Sequence, residues 1–332
     1  MLTKRKENIL KLIVEEYIRL ARPVGSTTIC ETLGVSSATV RNEMAELEEL
    51  EMIEKAHTSS GRMPSEKGYQ YYVDNLMEPK KMTGEDMLKL QTIFSNNQLS
   101  LTDAVLKSLE IISEMTNYTA VVLGNKSEDS KLQQIEVVPV DSTSLIAIIV
   151  TDKGHVEHKR ISNLGNISLD EIRKMVELIN KLVAGTPINE VSTKLEFDIK
   201  PIIGQYVAQH EMVYNAFYNV FSDFQVKHDV HMKGKSSLLK QPEFDNSSKI
   251  RDLVNKFEDE LVIDSIEENS EDINIYIGSK SNFDEDVTVI KTKYFAGNSE
   301  GTIAVIGPKR MEYDRVVGIL EYIKESLEEV KK

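Results

Sequence analysis

The stretch GVSSATVRNEMAELEELEMI, Gly34 to Ile53, constrains the fold more than any other. Gly34 supplies the positive φ that a sharp turn needs, and Ser36 is placed to cap a helix running to about Leu50. Upstream, Ile9, Leu12, Ile13, Tyr17, Ile18 and Leu20 recur at near-helical spacing. Residues 3–20 are therefore predicted as an amphipathic helix, stopped by Arg22, Pro23 and Gly25. Ser26 is a candidate N-cap for a short second helix, TTICETL, with Ile29, Cys30 and Leu33 inward. Helix, tight turn and helix at this spacing make a helix-turn-helix.

On the third helix Val40, Met44 and Leu47, with Leu50, form the face that packs on the first two helices. Ala38, Arg41, Asn42 and Ala45 fall on the opposite side, with Ser37 at its rim. Two readings of that side stand. It is an ordinary solvated face with Arg41 paired to a nearby acid, or it reads DNA. Two alanines would allow close approach, and Arg and Asn can fork onto guanine and adenine in a major groove. Downstream, Ile53, Lys55 and His57 alternate as a strand, Thr58 to Gly61 turn, Arg62 and Met63 return, and Pro64 and Ser65 start a helix holding Tyr69, Tyr72, Val73 and Leu76. A hairpin just after a recognition helix is a wing, and its polar tip suits phosphates or a minor groove.

The net charge of −14 argues at first against a nucleic-acid partner. Residues 1–80, however, carry 11 Lys/Arg against 13 Asp/Glu, a net of −2, so the other −12 lies elsewhere. Much of the local acid clusters at Glu43 to Glu54, leaving Lys4 to Lys6, Arg41, Lys55, Arg62 and Lys67 free to share one face. A single cysteine, Cys30, excludes an internal disulfide framework and a thiolate-rich metal site. Glu7, Asn8, Lys11 and Glu15 interrupt the first apolar stretch, so neither a signal peptide nor a membrane span is expected and a cytoplasmic location is.

PVGSTTICETLGVSSATVRNEMAELEELEMI and HTSSGRMPSEKGYQYYVDNLM resemble the bacterial heat-inducible transcription repressor family, HrcA. The resemblance continues in LLKQPEF, Leu238 to Phe244, and GTIAVIGPKRMEYDRVVGILEYI, Gly301 to Ile323. It implies an α+β multidomain fold: an N-terminal winged helix-turn-helix and a GAF-like α/β domain interrupted by an inserted dimerisation domain. It also implies a homodimeric repressor of chaperone operons that binds double-stranded DNA at an inverted-repeat operator, CIRCE, with its activity modulated by the GroEL chaperonin. Carried over by position, the reading helix is Ser36 to Met44 and the wing His57 to Arg62. Two positions depart from the pattern: Glu51, where the corresponding turn often carries glycine, and Met63, where isoleucine is common. The expected DNA-binding residues are Ser26, Thr27, Ser37, Thr39, Arg41, Asn42, Lys55, His57, Ser59 and Arg62.

PKKMTG, Pro79 to Gly84, reads as a linker. Beyond it a helix is expected over residues 85–115, interrupted near Asn96 and Asn97, then strands over 118–123, 132–140, 145–151 and 155–161 and a helix over 168–184. Strands resume at 273–277, 287–294 and 301–306 before a closing helix from Tyr313 to Val330. The expected domains are 1–80, a split 81–189 with 264–332, and an insertion at 190–263. In that insertion Tyr206, Val213, Phe217, Val220, Phe221 and Phe224 recur at helical spacing beside Tyr214 and Tyr218. The stripe is either the insertion's core or a dimer interface, and the dimerising insertion of the resembled family favours Tyr214, Phe217, Tyr218 and Phe221 as interface residues.

Chemistry is thin. His155 with His158, and His228 with His231, are three apart on predicted strands, which puts each pair on opposite faces and disfavours joint metal ligation. IGPKR lacks the spacing of a phosphate loop, and no Ser/His/Asp set or carboxylate pair stands out. No catalysis, cofactor or metal is expected. The alternatives are a winged-helix regulator responding to a small ligand in its GAF-like domain, and an enzyme that uses the first domain for targeting.

Overall fold

In a computed structural model, residues 2–56, 61–95, 99, 101–126, 130–141, 144–152, 156–162, 168–202, 211–222, 228–296 and 299–329 are described. The chain mixes helix and sheet in two compact units, Met1–Gly124 with Val230–Lys332, and Asn125–Asp229. The second unit thus begins earlier and ends earlier than the insertion expected at 190–263.

The first unit opens with helices α1 (Lys4–Leu20), α2 (Ser26–Leu33) and α3 (Ser37–Glu49), then strands β1 (Ile53–Lys55) and β2 (Arg62–Pro64) and helix α4 (Glu66–Asn75). Thr3, Ser36 and Ser65 cap α1, α3 and α4 by accepting backbone N–H bonds from Lys6, Thr39 and Gly68. Gly25, not Ser26, holds the N-cap of α2. Gly34 ends that helix at φ +64, as the turn requires. Leu50 lies past the last turn of α3 and is 43 % exposed, so it does not join the packing face. Cys30 is only half-buried. Pro64 closes β2 opposite Ile53 and does not start the helix.

The chain leaves α3 through Glu51 at φ +60, a left-handed conformation that side chains disfavour and glycine adopts freely. The departure noted in the sequence is therefore a residue carrying backbone strain. Replacing Glu51 by glycine is expected to raise stability by about 1 kcal/mol. An unchanged or lowered denaturation midpoint would contradict that.

Helices α5 (Gly84–Phe94) and α6 (Leu101–Thr116) precede strand β3 (Thr119–Lys126). In the second unit lie β4 (Leu132–Pro139), β5 (Ser144–Thr151), β6 (Val156–Ser162), α7 (Leu169–Val183), a run of short helical turns over 188–202, and α8 (Glu211–Ser222). The chain then returns through β7 (His228–Lys233), α9 (Lys235–Leu239), α10 (Ser247–Glu258), α11 (Glu260–Asp264), β8 (Asn274–Ile277), β9 (Val287–Ala296), β10 (Ser299–Pro308) and α12 (Tyr313–Glu329).

Strand order in the first unit's large sheet is β7-β3-β10-β9-β8, with β10 antiparallel to both β3 and β9. Both faces are covered. Ala120, Val122, Ile303 and Val305 belong to the same buried cluster as Val105, Leu109, Val316 and Leu320 from α6 and α12. The alternate residues Val121, Leu123, Ala304 and Ile306 pack with Leu238, Phe244, Leu253 and Phe257. This is why IAVI, Ile303 to Ile306, reads as an unbroken apolar run. The helix-turn-helix has no separate core: Ile9, Val40, Leu47, Tyr69 and Tyr72 belong to the first of these clusters. Tyr69 and Tyr72 place their rings 6.0 and 6.5 Å from that of Tyr313. Glu66 adds a polar tie, accepting from the Ser279 N–H at 3.2 Å and the Ser279 hydroxyl at 2.6 Å.

In the second unit β4, β5 and β6 form an antiparallel sheet with β5 central. Ile135, Leu145, Ala147, Ile149 and Ile161 are buried with Ile172, Met175, Val176 and Ile179 of α7. Ser168 and Glu171 form a capping box at the start of α7, and Asn180 bonds both backbone groups of Ile135 at 2.8 Å. The aromatic stripe turns into this core. Tyr214, Phe217 and Phe221 are 1 %, 0 % and 3 % exposed, and the Tyr214 hydroxyl donates to the Leu195 carbonyl at 2.6 Å. Side chains already enclosed within one chain have no surface to offer a second, which corrects the interface expected of these three. Tyr218 sits half-exposed at the cluster's edge, while Tyr206 and Phe224 lie outside the described residues.

Candidate nucleic-acid interface

Helix α3 divides as its periodicity predicts. Val40, Met44 and Leu47 are buried, and Ser37, Ala38, Arg41, Asn42 and Ala45 are exposed along the opposite side. Arg41 and Asn42 form no ion pair or side-chain hydrogen bond with another described residue. The solvated-face reading, in which a nearby acid holds Arg41, therefore loses its partner. Glu43 and Glu46 look the other way: Glu43 meets Arg5 at 3.5 Å and Lys6 at 3.6 Å, and Glu46 meets Lys6 at 2.6 Å. The Glu46 hydrogen bond holds the Lys6 ammonium above its usual range. The basic run Lys4 to Lys6 is thus partly engaged with glutamates of α3, not wholly available for phosphate. Thr39 is half-buried with its hydroxyl 2.9 Å from that of Ser36, and Ser26 and Thr27 open α2.

The wing is a small sheet. Ile53, Glu54 and Lys55 pair with Pro64, Met63 and Arg62, and Val24 adds a third segment through two backbone bonds with Arg62 at 2.8 and 2.9 Å. His57 and Ser59 lie outside the described residues. Arg62 differs from expectation. Its side chain is only 17 % exposed, and its Nε and one terminal nitrogen lie 2.9 and 2.8 Å from Oε2 of Glu48. Lys55 reaches the other oxygen of that carboxylate at 3.1 Å while remaining exposed. Arg62 is thereby a fixed link between the third helix and the wing rather than a group extended toward phosphate, and Lys55 is the more available cation. Glu48 went unnoticed in the sequence because its partners lie 7 and 14 residues away across a turn, beyond any helical periodicity.

Burial pushes the Glu48 carboxyl upward, but hydrogen bonds from Lys55 and Arg62 outweigh it and hold the group below its ordinary value of 4.5. A carboxyl with a depressed folded value stabilises above the unfolded value, and that contribution is lost as pH falls through the folded one. Glu48→Gln should accordingly cost roughly 1 to 2 kcal/mol near neutral pH. The gap between variant and parent should close as the pH falls below the ordinary 4.5 and through the lowered folded value. Denaturation midpoints against pH test this; a pH-independent gap would show that the carboxylate charge is not the cause.

Elsewhere the described residues hold no group of three or more His, Cys, Asp or Glu placed to share a metal ion. No helix among them is long and apolar enough to cross a membrane. A cavity of about 270 Å³ lies along the linker, lined by Lys80, Lys81, Met82, Thr83, Asp86, Glu312, Arg315 and Ile319. Arg315 spans it to Asp86 at 3.3 Å.

The profile of the winged helix-turn-helix transcription repressor HrcA DNA-binding domain matches residues 1–76, and that of the HrcA protein C-terminal domain matches residues 102–317. The chain belongs to the HrcA family of heat-inducible transcription repressors. The heat-inducible transcription repressor HrcA of Bacillus pumilus (strain SAFR-032) is 39 % identical over 333 residues, covering 98 % of this chain and 97 % of that one. The crystal structure of a hypothetical protein solved at 2.2 Å has the same fold. Its TM-score is 0.61 at 24 % identity, with 100 % of this chain and 99 % of that one covered. HmgR of Pseudomonas aeruginosa aligns over 99 % of this chain and 97 % of its own at 9 % identity with a TM-score of 0.23, too low to argue from. Within this chain the exposed side of α3 therefore belongs to a winged-helix DNA-binding domain.

Proposed function

We propose that this chain represses chaperone operons as a homodimer bound to an inverted-repeat operator of the CIRCE type, with the GroEL chaperonin modulating its activity. The observation carrying the proposal is the exposed Arg41–Asn42 edge, unpaired among the described residues, on a capped helix whose Glu43 and Glu46 are turned toward Lys6. Arg41 and Asn42 read base edges, Ser37 and Thr39 assist, and Ser26, Thr27, Lys55, His57 and Ser59 hold the sugar-phosphate backbone. Two copies of α3 must enter major grooves about 34 Å apart or a multiple of it, which asks for an inverted repeat. The large sheet is the GAF-like domain of this scheme, and the unit Asn125–Asp229 its dimerising insertion. A location in the cytoplasm and an absence of catalysis follow from the same reading.

A footprint on the chain's own upstream DNA, with and without chaperonin, tests it. Protection of an inverted repeat, strengthened by chaperonin, is expected; no protection in either condition overturns the reading. A second reading, a regulator that responds to a small ligand, has the linker cavity as its candidate pocket. Its lining is largely charged, not the apolar pocket expected of a GAF-like ligand site. A thermal-shift screen separates the two readings.

A further inference from the structure

We propose that Glu49 is a base-reading residue, its carboxylate selecting a cytosine in the major groove about three base pairs from the bases that Arg41 and Asn42 meet. The inference rests on the DNA-binding reading above and adds one determinant to it.

Helix α3 carries four glutamates, Glu43, Glu46, Glu48 and Glu49, and the first three have cations. Glu43 and Glu46 lie 3.6 and 2.6 Å from Lys6, while Lys55 and Arg62 reach Glu48 at 3.1 and 2.8 Å. The Glu49 side chain is exposed and forms no ion pair or hydrogen bond with another described residue. It is also the last residue of α3, whose final turn holds no basic residue, so the helix dipole opposes its charge. A glutamate so placed lowers stability with no compensating contact, and such local conflicts collect where function requires them.

Helical geometry aims this carboxylate. At about 100° per residue, Glu49 lies within about 10° of the direction opposite the centre of the buried trio Val40, Met44 and Leu47. Glu48 marks the wing flank of the exposed side and Glu46 the Lys6 flank. The open arc between them holds Arg41, Ala45, Ala38, Glu49 and Asn42. Glu49 stands beyond Asn42 on nearly the same line, about 10 Å along the axis, which is roughly three base steps of about 3.4 Å. Ala45, lying between them, keeps the approach close.

A carboxylate in the major groove only accepts hydrogen bonds. Guanine and thymine present acceptors there, and adenine sets its amino group beside the N7 acceptor, so all three oppose the charge. Cytosine offers its N4 amino group with no acceptor beside it on its own edge. On other sequences the carboxylate is left unpaired among phosphates and penalises binding.

Titration of the full chain against the operator, a scrambled duplex and operators with each base pair changed in turn supplies the test. One C·G pair is expected whose replacement weakens the parent at least about fivefold but changes Glu49→Ala by less than about twofold. Glu49→Gln should move the preference at that pair from cytosine to adenine, whose edge a glutamine amide meets with both donor and acceptor. It should also tighten binding to the scrambled duplex about threefold. Its denaturation midpoint should equal or slightly exceed the parent's, because the charge opposing the helix end is gone, so altered binding is not lost folding. A parent that prefers the operator while both variants keep its full base profile overturns the role of Glu49 and leaves the DNA-binding reading intact. A parent with no preference for the operator over the scrambled duplex overturns both.

Discussion

Gly68→Ala should destabilise the first unit by about 3 kcal/mol, because the new methyl has nowhere to go. A Cβ built on Gly68 lies 1.9 Å from the Met52 carbonyl oxygen, a backbone atom that also accepts the Ser65 N–H at 3.2 Å. Helix α4 approaches the turn after α3 this closely so that Tyr69 and Tyr72 can reach the core beside Tyr313. Relief requires α4 to lift away from the wing. Thermal denaturation is the measurement, and Gly84→Ala is the control. Gly84 opens α5 with nothing within 4 Å of a built Cβ, so alanine there should be neutral or slightly stabilising. Equal midpoints for the two variants would show that the close approach is absent in solution.

Arg41→Ala should cost roughly 1 to 3 kcal/mol at the specific operator, about ten- to a hundredfold in affinity, while leaving binding to unrelated DNA nearly unchanged. The side chain is exposed on α3 and supports nothing in the fold, so its loss should not move the denaturation midpoint. Lys55→Ala should behave differently, weakening all sequences alike and reducing the salt slope by about one counterion. Titrations of the operator and a scrambled duplex at several salt concentrations separate the two effects. An operator affinity unaffected by Arg41→Ala would falsify the base-reading role.

The exposed side of α3 was legible because helical periodicity is a local property. Val40, Met44 and Leu47 point inward, and Arg41 and Asn42 outward, whatever surrounds them. Caps are equally local, as Ser36 and Ser65 show, although Gly25 displaced Ser26 at α2. Glu51 was legible as a departure from the family pattern, and its φ of +60 gives the reason glycine suits that turn.

The errors share a cause. A stripe of Tyr214, Phe217 and Phe221 looks the same in sequence whether it meets its own unit or a second copy, and here its own unit encloses it. Arg62 looks like any wing cation until Glu48, 14 residues away, is found against it. The compact units divide near residue 125, where strand patterns on either side are alike and only packing tells which sheet each strand joins.

The sequence by itself determined the helix-turn-helix, the wing and which side of the third helix faces outward, all of which depend on spacing within a few turns of chain. Tertiary structure alone decided which charges are engaged, since ion pairs such as Glu48 with Arg62 and Glu43 with Arg5 join residues that no periodicity relates. It also decided which apolar faces remain open, because burial depends on what packs above a strand and not on the strand's own alternation.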